Sequence, residues 1–119
     1  MINLKEARSF LGVTVSKTRY SARETRGLDF TIDIEYIMDL LVYQHGKCAL
    51  TGWDLEFTRG GSYGYGTNPM GCTMDRKNNS EGYVKGNVQW VHVDINYAKL
   101  TLSNKDFIDM CRRVVEYNK

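Results

Sequence analysis

Two short stretches of this chain carry residue types that can do chemistry together. Asp75 and Arg76 close a short run, Cys72–Arg76, that reads as a strand. Asn96 lies in the first turn of the helix expected after the next strand, with Lys99 three residues later on the same side. If the hairpin closes and the helix packs across it, the Asp75 carboxylate and the Asn96 amide oxygen converge. Two hard oxygen donors with open positions suit Mg2+ or Mn2+, which take their other ligands from water and phosphate. Far upstream, Arg19, Arg23 and Arg26 recur at i, i+4 and i+7 and line one face of a helix. A stripe of a single sign repels itself, and an anionic partner relieves that repulsion.

The elements that must position these residues follow from periodicity and end signals. Residues 3–10 and 15–26 read as helices with Gly12 between them. An extended run, Leu28–Ile32, leads to Asp33 as N-cap of a helix reaching Gln44, with Tyr36, Ile37, Leu40 and Leu41 as its core stripe and Gly46 to end it. Cys48–Trp53 reads as a tight turn about Gly52, and the glycine- and tyrosine-rich stretch 59–71 as a mobile loop. Strand Cys72–Arg76 and strand Asn87–Val93 enclose a polar loop, Lys77–Gly86. On the second strand Val88, Trp90 and His92 share one face, and Gln89, Val91 and Val93 the other. Asp94 is placed to cap a helix to Leu100. Ser103 starts a last helix whose buried stripe is Phe107, Ile108, Cys111, Val114 and Val115. Trp90 reads as core, Trp53 as a lid on it, and Tyr97 as packing on its helix.

Composition narrows the class. The chain has 119 residues, 42% of them hydrophobic, enough for a single domain with its own core. Its 16 basic and 14 acidic side chains are unevenly spread. Residues 1–30 hold six basic and three acidic, and residues 31–60 two and five, so a basic arm over 1–30 precedes the main body over 31–119. No apolar run approaches the ~18 residues of a membrane span, and no signal peptide opens the chain. Cys48, Cys72 and Cys111 stand alone, with neither a disulfide framework nor a four-cysteine zinc site, which fits a reducing, cytoplasmic setting.

Read together, Asp75-Arg76, Glu81-Gly82-Tyr83, Gly86-Asn87-Val88-Gln89-Trp90-Val91-His92, Asp94-Ile95-Asn96 and Lys99 resemble the HNH endonuclease family, in its branch with Asp-Arg in place of Asp-His. The likeness extends upstream to Gly46–Gly52 and downstream to Phe107–Cys111. It implies an α+β chain with a ββα-metal (His-Me finger) core between N-terminal helices and a C-terminal helix. It also implies hydrolysis of DNA phosphodiesters with one divalent ion, Mg2+ or Mn2+, leaving 5′-phosphate and 3′-hydroxyl ends. Position by position, Asp75 matches the metal-binding aspartate, Asn87 the asparagine that ties down the loop, Asn96 the second metal ligand, and Lys99 a basic residue facing the nucleic-acid backbone.

The chain departs from that pattern in three ways. Arg76 stands where the better-known branch has its general-base histidine; a guanidinium stays protonated, so it is assigned to clamp the scissile phosphate. The base then falls to His92, to His45, or to water activated directly by the metal. Lys77 and Asn78 replace an apolar residue and a second aspartate, with Glu81 as the one nearby acid. The cysteine pairs of zinc-bearing relatives are missing, which leaves Cys48, Cys72 and His92 as a disfavoured structural zinc set. The leading expectation is a DNA endonuclease or nickase on double-stranded DNA, with Lys17, Arg19, Arg23, Arg26, Lys77 and Lys99 on phosphates and a homodimer as one route to cutting two strands. The alternatives are a catalytically weak or inactive DNA-binding ββα module, and a protein-interaction role for the acidic 33–56 segment.

Overall fold

The computed structural model describes residues 4–56 and 71–119. Its elements run α1 (Leu4–Tyr20), a one-turn π-helix (Ser21–Thr25), α2 (Ile34–Tyr43), β1 (Cys72–Arg76), β2 (Val88–His92), α3 (Val93–Lys99) and α4 (Asn104–Tyr117). The chain is α+β, with one antiparallel two-stranded sheet among the described residues. The loop expected over 59–71 lies, apart from Gly71, outside them. No helix among the described residues is long and apolar enough to cross a membrane.

Gly12 does not divide the N-terminal helix. A helical glycine costs roughly 1 kcal/mol, but Ala7, Leu11 and Val15 recur every four residues and are all buried, so packing carries the helix through. The helix then widens into the π turn, where Arg26 N–H reaches Ser21 O at 3.1 Å and Leu28 N–H reaches Ala22 O at 2.7 Å. The extended run that follows pairs as an isolated parallel bridge, Phe30 to Tyr83.

Asp33 caps α2 as expected, its carboxylate accepting from Tyr36 N–H at 2.8 Å. The buried residues of α2 are Ile37, Met38 and Leu41, with Tyr36 and Leu40 only partly covered. Its C-terminal turn reverses through His45 and Gly46, both at positive φ, with Gly46 N–H on Leu41 O. Gln44 then serves as an extra rung for β2: its side chain accepts from Trp90 N–H at 3.0 Å and donates to Trp90 O at 2.9 Å. That covers an edge which would otherwise stand open. Trp90, 1% exposed, donates its indole N–H to Ile37 O and joins α2 to the hairpin.

The hairpin register sets Cys72 opposite His92, Met74 opposite Trp90, Asp75 opposite Gln89 and Arg76 opposite Val88. Every residue of β2 is buried, because α2 and the turn at 48–50 cover it on one side and α3 crosses it on the other. The helix cap after β2 differs from expectation. His92 is the N-cap of α3, and its Nδ1 accepts from Asp94 N–H at 3.1 Å, so Asp94 lies inside the helix.

The last helix also departs from the expected picture. Ser103 caps it, accepting from Asp106 N–H, but only Phe107 of the apolar stripe is buried. Ile108, Val114 and Val115 are 45%, 57% and 59% exposed, and Cys111 is exposed, not a core residue. The first turn of α4 is held, and the remainder leaves the body.

Candidate functional site

The end of β1 holds a compact polar network. Asp75 faces Gln89 across the ladder, and Gln89 Nε2 donates to Asp75 Oδ2 at 2.9 Å. The same Nε2 donates to Asn104 Oδ1 at 2.8 Å, while Asn104 Nδ2 returns a bond to Gln89 Oε1 at 3.0 Å. Lys99, in the last turn of α3, has no solvent exposure; its Nζ lies 3.0 Å from Asp75 Oδ2 and donates to Arg76 O at 2.8 Å. Asp75 itself is 6% exposed, so its charge sits in a low-dielectric place and is balanced by the lysine.

Lys99 is therefore not on a DNA-facing surface, as the resemblance implied. Burying an ammonium requires a countercharge, and Asp75 supplies it. The two oxygens of Asp75 are not equivalent. Oδ2 takes both partners, whereas Oδ1 takes no hydrogen bond from a described residue. No fully buried side-chain polar atom among the described residues lacks a partner. Asn96 is half-buried on α3, one turn before Lys99, and its amide makes no side-chain hydrogen bond to a described residue. One carboxylate oxygen held in a fixed direction, with an amide on the neighbouring helix, fits a small hard cation that keeps most of its water. No group of three or more His, Cys, Asp or Glu side chains placed to hold a metal occurs among the described residues, and this donor set has a single carboxylate.

Asn87 organises the loop between the strands. Its Oδ1 accepts from Asn78 N–H, and its Nδ2 donates to Asn78 O at 3.0 Å and Gly82 O at 2.8 Å. Arg76 works on the same loop: Nη1 donates to Asn79 O and Glu81 O, and the guanidinium lies 5.5 Å from the centre of the Tyr83 ring. Its Nε and Nη2 carry no bond to a described residue. The loop is also pressed against the 28–32 segment at Gly82, where a Cβ would stand 2.5 Å from Asp29 O, so only glycine fits.

The arginines of the N-terminal arm converge there too. Arg19 stacks over Phe30, Arg26 over Tyr83 with a bond to its hydroxyl at 3.1 Å, and Arg23 donates to Phe30 O at 2.7 Å. The two rings lie 5.5 Å apart. None of the ion pairs among the described residues involves Arg19, Arg23, Arg26 or Arg76. Three guanidiniums thus stack on one aromatic pair and a fourth holds its backbone, none of them in an ion pair with a described residue. Lys17 and Lys77 are exposed, and their ammonium groups are free of ion pairs among the described residues.

His92 is not brought to Asp75. The two lie three ladder pairs apart, about 10 Å along the strands, with side chains on opposite faces. Its Nδ1 is occupied by the α3 cap, and its ring meets the edge of Trp53, 5.2 Å between centres. His92 instead lines a separate cleft of about 660 Å³ with Lys47, Trp53 and Asp54. Trp53 is 50% exposed and lies over His92. His45 is exposed at the end of α2. Burial pushes the Cys72 thiol far above its ordinary value, so it stays protonated at neutral pH.

Gln89 and Asn104 went unassigned in the sequence reading. A visible signal existed for Gln89: an amide between Val88 and Trp90 on a buried strand must find a polar partner, and the antiparallel register supplies Asp75. Nothing local marked Asn104. In comparisons with known proteins, no family model, no curated protein and no solved structure matches this chain.

Proposed function

We propose that this chain is a metal-dependent DNA endonuclease of HNH type, built on a ββα-metal core formed by β1, β2 and α3, cleaving phosphodiesters to 5′-phosphate and 3′-hydroxyl ends. The observation that carries the reading is the Asp75 carboxylate, nearly buried at the end of the hairpin, with Oδ2 pinned by two partners and Oδ1 bonded by no described residue. Asp75 Oδ1 and the Asn96 amide oxygen would hold Mg2+ or Mn2+. What the bound ion supplies is Lewis-acid stabilisation of the charge that builds on the scissile phosphate.

The other residues position the substrate. Arg19, Arg23 and Arg26 are held by Phe30 and Tyr83, so they meet a phosphodiester backbone at little entropic cost, and Arg76, stacked on Tyr83 on the strand face opposite Asp75, extends that row. Lys17 and Lys77 add exposed charge at its margins. Among the described residues neither histidine stands beside Asp75: His92 is on the other face and His45 is exposed at the end of α2. Solvent is thus the proton acceptor in this reading.

Nicking of supercoiled plasmid in Mg2+ or Mn2+ against EDTA tests it. The expected result is metal-dependent open-circle or linear product that Asp75→Ala abolishes; the proportion of linear product reports whether one strand or both are cut. A second reading, a DNA-binding ββα module without catalysis, is favoured by the hold of the loop carbonyls on Arg76 Nη1. Intact plasmid in every lane, with a gel shift whose affinity falls steeply with salt, would select it.

A further inference from the structure

The bond pattern around Asp75 has a built-in asymmetry, and its source lies outside the candidate ligands. Asp75 Oδ2 receives Gln89 Nε2 at 2.9 Å and Lys99 Nζ at 3.0 Å, and these two contacts fix the plane of the carboxylate. A side-chain amide can present either its oxygen or its nitrogen. An oxygen turned toward Asp75 would repel the carboxylate and free it to rotate. The acceptor character of Oδ2 selects the nitrogen, and Asn104 braces that choice, its Nδ2 donating to Gln89 Oε1 and its Oδ1 accepting from Gln89 Nε2, so that Gln89 cannot turn without breaking the pair. Asn104 is itself anchored, with its backbone N–H on Lys77 O at 3.0 Å, at the first turn of α4.

We infer that Gln89, set by Asn104, is the positioning residue for Asp75: the amide pair turns the carboxylate so that Oδ1, and not Oδ2, faces the cation. The inference rests on the endonuclease reading above for the presence of a cation at Asp75. It adds two residues that touch neither substrate nor metal and act only through the carboxylate. Outer partners of this kind typically contribute 10–100-fold to metal affinity.

Binding of Mn2+ to the full chain, followed by electron paramagnetic resonance and calorimetry without DNA, separates this from a purely structural role. The variants are Gln89→Leu, Asn104→Ala and the pair together, each with its unfolding curve in urea. The expected result is at least tenfold weaker Mn2+ binding for Gln89→Leu and a smaller loss for Asn104→Ala. No further loss is expected when Asn104→Ala is added to Gln89→Leu, because Asn104 then has nothing to set. Asn104→Ala sits at a half-buried position, so it keeps the test open if Gln89→Leu does not fold. Mn2+ affinity within twofold of wild type in folded variants overturns the inference. So do additive losses in the pair, which would mean that Asn104 acts independently. A wild-type chain that binds no Mn2+ overturns the endonuclease reading and this inference with it. Wild-type binding that survives in the variants overturns the inference alone.

Discussion

Helices α3 and α4 follow one another in the chain, and each begins at a side-chain cap, yet they end in opposite environments. The seven residues of α3 pack on both strands and bury a lysine completely. The fourteen residues of α4 carry the more regular apolar stripe and bury Phe107 alone. Amphipathic pattern therefore does not decide burial here. What holds α3 is a set of paired polar groups reaching from Lys99 to Asp75 and Arg76 O, and a charge placed in the interior is tolerated only when such partners are in reach. The Asn104 amide and backbone N–H, with the buried Phe107, fix the start of α4, and no residue of the helix beyond Phe107 is buried.

The sharpest way to break this contrast is to remove the buried cation. Lys99→Ala leaves Asp75 charged and unpaired, and a loss of about 3–5 kcal/mol in urea unfolding is expected; a loss below about 1 kcal/mol would mean that α3 is not held by its charge pair. Asn87→Ala strips four side-chain hydrogen bonds to backbone groups from the inter-strand loop. It should cost about 2–3 kcal/mol, measured the same way, and speed proteolysis at 78–82.

Within α4, Phe107→Ala should cost about 2–3 kcal/mol while Val115→Ala stays within about 0.5 kcal/mol, since only the first is covered. Equal costs would show the stripe to be buried in solution. Thiol labelling divides the regions without mutation. Cys111 should react with a maleimide within minutes in the native protein, while Cys48 and Cys72 wait for unfolding.

The smallest effect lies on the surface pair Lys47–Asp54, where the lysine's hydrogen bond and charge hold the Asp54 carboxyl below its ordinary value. The pair's contribution is present at neutral pH and is lost as pH falls through that lowered value. A carbon-detected NMR titration should show the Asp54 midpoint rise in Lys47→Met and move toward its ordinary value with added salt.

Local features were legible in the residues. The ends of β1, the α2 cap at Asp33 and the α4 cap at Ser103 follow from periodicity and short-range hydrogen bonding, each confined to a few neighbouring positions. Gly12 and Asp94 show where local rules lose: burial of Ala7, Leu11 and Val15 outweighs one glycine, and His92 reaches the cap position before Asp94 can. The candidate site is legible as a set of residue types, Asp75, Asn87 and Asn96, and not as a set of contacts.

The sequence by itself determined that a strand, a polar loop, a second strand and a helix would follow one another, and that a carboxylate would close the first strand. Only the tertiary structure decided which oxygen of Asp75 takes Gln89 and Lys99, that Lys99 turns inward, that His92 faces away, and that four arginines gather about Phe30 and Tyr83. Periodicity records which face a residue takes within its own element, over separations of a few residues. Partners such as Lys99 with Asp75, or Arg26 with Tyr83, are separated by 24 and 57 positions, and they meet only when packing of the whole chain brings their elements together.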